Sequence, residues 1–282
     1  AFAIFGGLAG FGIGNMVQVN SMAHALETTF SVPLWATGLI TMVVVGLVIL
    51  GGIRRIGVVA ASLVPFMCLA YLIAAAVVLV VNASAIPAAF DLIFTHAFTP
   101  IAATGGFAGA AVIAAIRFGV ARGIFSNEAG LGTAGIAQAA GTTTSSVRSG
   151  MIGMLGTFID TIIVCSMTGL AIICTGVWTS GASGAALSAA AFESAMPGIG
   201  GVILTIALVV FAFTTILAYY YIAETNIAYI NRKVKRPILT LLLKFGIIAA
   251  TVYGTVHTAT FAWDLGDLGV GLMAWLNIIA IL

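Results

Sequence analysis

A polar, glycine-rich stretch interrupts an otherwise apolar segment near the middle of the chain. Residues 122–133 read RGIFSNEAGLGT and stand between GGFAGAAVIAAI (105–116) and AGIAQAA (134–140). Inside a membrane, the free backbone groups at a helix break are tolerated only where they line a cavity or bind a ligand. In membrane transport proteins, such breaks mark substrate and ion sites near the bilayer midplane. The stretch is therefore the first candidate binding site.

The two halves of a broken helix would present opposite partial charges to a ligand. Terminal carbonyls of the first half attract a cation or an ammonium group, and N–H groups of the second half attract a carboxylate. A zwitterion of amino-acid size offers both charges. The residues that surround the break are Phe125, Ser126, Asn127, Gly130, Gly132 and Thr133.

Charged residues near the break have two possible roles. Arg122 and Glu128, together with Arg117, could form an internal ion pair or an inner gate. Asp160 is a lone carboxylate inside the next apolar segment, where ionisable groups are costly and often functional. We expect Asp160 to pair with an arginine of the broken helix, or to titrate if the coupling ion is H⁺.

Two amides lie on one face of the first apolar segment, in the motif GxGNxxQxNS. Asn15 and Gln18 are three residues apart, so a helix brings them to the same side. Such a pair can orient a small polar ligand. Alternatively, the amides hydrogen-bond to a neighbouring helix, with Gly12 and Gly14 allowing close approach.

Adjacent hydroxyls in the sixth apolar segment suit a hard cation. Thr214 and Thr215 offer oxygen ligands, and Tyr219 follows Thr215 by one helical turn on the same face. The alternative is that the threonine hydroxyls bond to carbonyls of the preceding turn. His257, Asp264 and Asp267 fall at the outer end of the last hairpin, where solvated or gate residues are expected. Signatures such as GxSxG, HExxH, Walker or CxxC are missing from the sequence, so an enzyme is not expected.

The composition predicts an all-α polytopic membrane protein. Only 6% of the 282 residues are charged and mean hydropathy is +1.23, whereas soluble domains carry about 25% charged residues. The net charge of +2 gives no reason to expect a nucleic-acid partner. Segment 105–140 would be roughly 54 Å long as one straight helix, too long for a hydrocarbon core of about 30 Å. About eight apolar segments, one of them broken, are predicted at 1–25, 34–50, 57–82, 105–140, 150–178, 199–229, 237–256 and 264–282.

The loop charges orient these segments. Seven cations follow the second, fourth and sixth segments, and loops on the other side contain no Lys or Arg. By the positive-inside rule, the first segment runs from inside to outside. The seven loop cations are Arg54, Arg55, Arg148, Arg232, Lys233, Lys235 and Arg236.

The sequence starts and stops inside hydrophobic runs. We therefore expect residues 1–282 to be a single transmembrane transporter domain that is truncated at both ends.

The order and spacing of five motifs resemble the alanine or glycine:cation symporter family. These motifs are GxGNxxQxNS, RGxFSNEAGLG, FIDT, FxTTxL(A)YYY and WDLGDLGVGLMAWLN, and they extend over essentially the whole chain. The resemblance implies a partial five-plus-five inverted-repeat fold comprising core helices 3–10. Segment 105–140 would be the sixth core helix and 199–229 the eighth, with the first core helix outside the sequence.

The same resemblance implies roles for individual residues. Asn15 and Gln18 would contact substrate, and the residues around the break would shape an amino-acid pocket. Thr214 and Thr215 would contribute to a sodium site. Tyr219 stands where members of the family usually carry Trp, so the choice between alanine and glycine stays open.

The expected activity is Na⁺-coupled symport of alanine or glycine by alternating access. The expected location is the cell membrane of a bacterium or archaeon, with Na⁺ as co-transported ion. Three alternatives remain: proton coupling, a passive channel, and a membrane protein that binds an amino acid without translocating it. The oligomeric state is not predicted.

Overall fold

The computed structural model describes residues 1–98, 119–182, 184–236, 238–257 and 259–282. Within these ranges all regular structure is helical, which confirms the predicted fold class. Among the described residues, six helices are long and apolar enough to cross a membrane. They are α1 (Phe2–Phe30), α3 (Gly52–Val81), α7 (Ser146–Cys174), α9 (Gly200–Val234), α10 (Ile238–Val256) and α11 (Ala259–Ile281).

Shorter helices fill the intervals between the long ones. The apolar helix α2 (Leu34–Ile49) matches the predicted segment 34–50. Helices α4 (Ile86–Phe98) and α8 (Gly184–Ala195) lie in the two long connections. Helix α5 covers 119–127, and α6 (Thr133–Gln138) follows it. The remainder of the predicted first half of the broken helix, including Arg117, lies outside the described residues.

Two of the long helices contain a π-helical segment. One covers Gly12–Met16 in α1, and the other covers Ile159–Cys165 in α7. The wider π turn shifts the register of the following side chains, and such turns often occur at functional sites. The two segments contain the candidate residues Asn15 and Asp160.

The chain consists of two compact units. Unit 1 comprises Ala1–Tyr71, Gly130–Ser149 and Val202–Leu282, and unit 2 comprises Leu72–Ala129 and Gly150–Gly201.

Unit 1 is built around close contacts of α1 with α9, α10 and α11. A Cβ atom added at Gly10 would lie 2.9 Å from the Cβ atom of Ala223, and one added at Gly254 would lie 2.8 Å from the Cα atom of Met16. Gly14 faces the Tyr219 side chain even more closely. The small residues therefore allow helix backbones to approach to a distance that larger side chains would prevent.

The core of unit 1 lies between α1, α2, the start of α3, α9 and α10. Its fully buried side chains include Val19, Val45, Ile216, Tyr220 and Ile247. The cluster brings together residues up to about 230 positions apart, so it fixes α9 and α10 against the first three helices.

In unit 2, α4 and α8 both contact the last two turns of α7. The Glu193 carboxylate of α8 accepts hydrogen bonds from the backbone N–H groups of Gly198, at 2.5 Å, and Gly201, at 2.9 Å. These bonds satisfy free N–H groups at the start of α9. They also hold the pKa of Glu193 below its ordinary value of 4.5, with the bond from Gly201 the larger cause.

Candidate substrate and ion site

The predicted break lies between α5 and α6. Helix α5 ends at Asn127, whose Oδ1 atom accepts a hydrogen bond from the N–H group of Ala129 at 2.9 Å. Glu128, Gly130 and Gly132 all have positive φ angles, 54°, 79° and 84°. This left-handed backbone ends one helix before the next begins at Thr133.

Ser126 and Asn127, at the end of α5, join Asp160 and Thr161 of α7 in one polar network. The Ser126 hydroxyl donates to Asp160 Oδ2 at 2.6 Å, and the Thr161 hydroxyl donates to the same oxygen at 3.3 Å. Asn127 Nδ2 donates to Thr161 Oγ1 at 3.2 Å. The network thus connects the end of α5 to the π-helical segment of α7 within unit 2.

Gly130 and Gly132, within unit 1, contact the amide of Asn277 on α11. Asn277 Nδ2 donates to the Gly130 carbonyl oxygen at 3.0 Å. A Cβ atom added at Gly132 would lie 2.9 Å from Asn277 Oδ1 and 2.9 Å from the Phe2 ring. Two features therefore favour glycine at position 132. Its φ angle is positive, and its neighbours leave no room for a side chain.

The two predicted amides of α1 have different surroundings. Asn15 is only 1% exposed, and its Nδ2 donates to the Ile247 carbonyl oxygen of α10 at 2.7 Å. Its Oδ1 has no hydrogen-bond partner among the described residues. Gln18 is half-buried, and its Nε2 donates to the Ile13 carbonyl oxygen at 3.1 Å within the same helix. Asn15 therefore anchors α10 in this structure, whereas Gln18 makes only a local bond.

A third amide, Asn20, was missed as a candidate although it belongs to the same motif. Asn20 is buried, and its Nδ2 donates to the carbonyl oxygens of Gly254, at 3.0 Å, and His257, at 2.9 Å. It thereby satisfies carbonyl groups at the end of α10. The motif contains the asparagine, but the carbonyl groups that Asn20 binds lie 234 and 237 positions further along the chain.

The paired threonines of α9 bond to their own helix. Thr214 Oγ1 donates to the Phe211 carbonyl oxygen at 2.9 Å, and Thr215 Oγ1 donates to the same oxygen at 2.9 Å. Each hydroxyl oxygen keeps lone pairs that can face a cation, because donating a hydrogen bond uses only its proton. Tyr219, on the following turn, is 4% exposed and lies against Gly14 of the first π-helical segment.

The charged candidates lie near the break. Arg122 and Glu128 are half-buried at α5 and just after it. Asp160 accepts hydrogen bonds from hydroxyl groups, as described above. Within the described part of the chain, no group of three or more His, Cys, Asp or Glu side chains could hold a metal ion. The oxygen atoms suited to a hard cation therefore come from hydroxyl groups, amides, carbonyl groups and single carboxylates.

Comparison with known proteins identifies relatives over nearly the whole chain. The chain is 43% identical over 279 residues to a putative sodium/proton-dependent alanine carrier protein of Bacillus subtilis, covering 94% of this chain and 57% of the relative. A sodium/proton-dependent alanine carrier protein of Bacillus sp. PS3 is 40% identical, with coverages of 94% and 62%. A sodium/alanine symporter of Methanococcus maripaludis is 42% identical, with coverages of 100% and 61%.

The chain thus spans about three fifths of the length of these relatives. The sequence model of the sodium:alanine symporter family matches residues 1–282. This match agrees with the apolar helices, the central break and the motif order. The chain therefore belongs to the sodium:alanine symporter family, a family of membrane transporters and not of enzymes.

Proposed function

We propose that the protein carrying this chain couples the inward movement of Na⁺ to the uptake of a small neutral amino acid, alanine or glycine. The observation that carries the proposal is the break between α5 and α6. Its backbone groups and the side chains around it offer both donors and acceptors to a zwitterion. The named activities of the relatives support the same substrate class and ion. The proposed location is the cell membrane of a bacterium or archaeon.

In unit 1 we propose that the half-buried Gln18 contacts substrate, and in unit 2 we propose the same of Ser126 and Asn127. Ser126 and Asn127 belong to the polar network with Asp160 and Thr161, and in unit 1 the Gly130 carbonyl oxygen accepts a hydrogen bond from Asn277 Nδ2. The Tyr219 side chain packs against Gly14, and we propose that Tyr219 limits the size of the substrate side chain. The full proposed set is Asn15, Gln18, Phe125, Ser126, Asn127, Gly130, Gly132, Thr133 and Tyr219.

The proposed sodium ligands are the hydroxyl oxygens of Thr214 and Thr215. Both hydroxyls lie 2.9 Å from the Phe211 carbonyl oxygen, and the Thr214 hydroxyl also lies 3.1 Å from the Val210 carbonyl oxygen. Hydroxyl oxygens on two adjacent residues are ligands of the kind that a hard cation prefers. The remaining sodium ligands would come from parts of the protein outside this chain. Arg122, Glu128 and Asp160 are proposed as gate or ion-pair residues.

The direct test is alanine uptake by the full-length protein in proteoliposomes, with and without an inward Na⁺ gradient. Thr214→Val and Thr215→Val keep the side-chain shape and remove the hydroxyl. We expect the Na⁺ concentration for half-maximal uptake to rise about tenfold or more, because a bond to a charged group contributes about 1.5–3 kcal/mol.

Thr251→Val is the matched control. Thr251 is fully buried, and its hydroxyl, like those of Thr214 and Thr215, donates to its own helix, at the Ile248 carbonyl oxygen. Its Na⁺ dependence should match the wild type. If both threonine variants of α9 retain the wild-type Na⁺ dependence, the proposed sodium site is wrong. An alanine uptake rate that is the same with and without Na⁺ would contradict the proposed coupling.

Proton coupling is the second candidate, because two of the relatives are named as sodium/proton-dependent. Uptake that persists at constant pH when Na⁺ is replaced outside would favour protons as the driving ion.

A further inference from the structure

The polar network of unit 2 brings hydroxyl oxygens to one carboxylate. Asp160 Oδ2 lies 2.6 Å from Ser126 Oγ and 3.3 Å from Thr161 Oγ1. Asn127 Nδ2 donates to Thr161 Oγ1 at 3.2 Å, which connects that hydroxyl group to the end of α5. Among the described residues, the second carboxylate oxygen, Asp160 Oδ1, accepts no hydrogen bond. Carboxylate and hydroxyl oxygens therefore meet where the end of α5 contacts the π-helical segment of α7.

Asp160 lies at the middle of a helix that is long enough to cross the membrane. It is equally far from Ser146 and Cys174, the first and last residues of α7. Each end is about 21 Å away at 1.5 Å per residue. A carboxylate at such depth is costly unless an opposite charge balances it. Among the described residues, the side chains that bond to Asp160 carry hydroxyl groups and no positive charge.

The end of α5 adds partial negative charge to the same place. Carbonyl oxygens at the C-terminal end of a helix carry the negative end of its dipole, which favours a cation within the last turn. Ser126 and Asn127 are the last two residues of α5. The carboxylate and the helix end therefore have charges of the same sign, and a cation bound between them would reduce their repulsion.

The spacing of the oxygen atoms suits a hard monovalent cation. Ca²⁺, which has nearly the same radius as Na⁺, takes oxygen ligands at about 2.3–2.6 Å, so ligands at right angles around it are roughly 3.3–3.7 Å apart. The distance of 3.3 Å between Thr161 Oγ1 and Asp160 Oδ2 matches this spacing. Ser126 Oγ is closer because it donates a hydrogen bond, and its proton would turn away when a cation binds. One carboxylate balances one positive charge, which favours Na⁺ over a divalent ion.

We propose that Asp160, Ser126 and Thr161 bind a second Na⁺, an inference that rests on the proposed symport. The Asp160 carboxylate supplies the negative charge, and the two hydroxyl oxygens are neutral ligands. The bound Na⁺ is the positive partner that the proposed ion-pair role of Asp160 requires. This site is in unit 2, whereas Thr214 and Thr215 belong to unit 1. With two ions, the membrane potential contributes twice as much free energy to the uptake of each alanine as with one.

Equilibrium binding of radioactive Na⁺ to the purified full-length protein counts the ions without requiring transport. We expect the wild type to bind two Na⁺ at saturation and Asp160→Asn to bind one. The double variant Thr214→Val/Thr215→Val should lose the other ion, and the combined triple variant should bind none. The single ion that remains in Asp160→Asn shows that this variant is folded.

Two further variants keep the Asp160 charge and remove one neutral ligand each. In the background of Thr214→Val/Thr215→Val, only the unit 2 site is titrated. There, Ser126→Ala and Thr161→Val should each raise the Na⁺ concentration for half-occupancy about tenfold or more.

Thr157→Val is the matched control for Thr161→Val. Thr157 is half-buried one turn earlier on α7, and its hydroxyl donates to the Gly153 carbonyl oxygen at 3.3 Å. In the same background, this variant should bind Na⁺ as the protein with Thr157 does. Equal half-occupancy concentrations for Ser126→Ala, Thr161→Val and Thr157→Val would overturn the proposal.

Two other outcomes would also overturn the second site. A wild type that binds one Na⁺, which Asp160→Asn keeps and Thr214→Val/Thr215→Val loses, would leave the proposed function intact without a second ion. If Asp160→Asn keeps both Na⁺ and no longer binds alanine, Asp160 binds the ammonium group of the substrate instead. A wild type that binds no Na⁺ would reject the proposed function together with this inference.

Discussion

Two amides five residues apart on α1 have become anchors for another helix, and the amide between them has not. Asn15 and Asn20 each donate to carbonyl oxygens of α10 or of the residue just after it, whereas Gln18 donates to a carbonyl oxygen of its own helix. Three amide side chains that are close together in the sequence therefore bind different partners. The two buried amides bind carbonyl groups outside their own helix, and the half-buried amide binds a carbonyl group of its own helix.

We expect Asn20→Ala and Gln18→Ala to affect different quantities. Asn20→Ala leaves the buried Gly254 carbonyl group and the His257 carbonyl group without this donor, so the free energy of unfolding should fall by about 1–3 kcal/mol while KM stays unchanged. Gln18→Ala should raise KM about tenfold or more with little change in melting temperature. Melting temperature and uptake kinetics of the purified variants check both. An unchanged KM in Gln18→Ala would remove that residue from the proposed pocket.

Local sequence patterns predicted the roles of some of these residues. The roles of the others depend on contacts with distant parts of the chain. Gly130 and Gly132 indicated a break because glycine favours left-handed backbone wherever it occurs. The sequence does not determine what the Thr214 and Thr215 hydroxyls bind, since a threonine in a helix can donate to a carbonyl group of the preceding turn or face a ligand. The contact between Gly14 and Tyr219 and the role of Asn20 could not be foreseen, because their partners are more than 200 residues away.

At the scale of the element, two helices widen into π turns where a candidate polar residue stands. Asn15 lies in the π-helical segment of α1, and Asp160 lies in that of α7. The sequence predicted helices at both places but not the wider turns, because the same apolar periodicity is compatible with either geometry over so few residues. The π segment therefore modifies the direction of a side chain without altering the element that carries it.

The start of α9 should lose stability in acid. Its cap, Glu193, has a pKa below the ordinary value because Gly201 and Gly198 donate to the carboxylate. A lowered pKa in the folded state means that the cap stabilises the fold above the unfolded-state pKa and is lost as pH falls through the folded-state value. The melting temperature of the wild type should therefore fall on acidification below about pH 4.5 by more than that of Glu193→Gln. Parallel decreases in both proteins would contradict this role.

At the scale of the whole molecule, apolar segments and loop charges together predict an orientation. Arg236 is one of the seven loop cations, and the exposed Ser180 belongs to a connection without Lys or Arg. The positive-inside rule predicts that Arg236 faces the cytoplasm and that Ser180 faces outside.

This orientation can be tested by thiol labelling of the full-length protein in intact cells. After the native cysteines are replaced by serine, Ser180→Cys should react with a membrane-impermeant maleimide. Arg236→Cys should react only after the cells are opened. The reverse pattern would invert the predicted orientation.

Lys244 Nζ of α10 lies 3.7 Å from Glu224 Oε1 of α9, and this ion pair bears on how the chain enters the membrane during synthesis. A carboxylate or an ammonium group that enters the hydrocarbon without a partner costs about 2.5–3.5 kcal/mol on insertion scales. Only the hairpin carries Glu224 and Lys244 together as a neutral pair. The translocation machinery should therefore retain α9 at its lateral opening until α10 has been made, and release the two helices into the lipid as a pair.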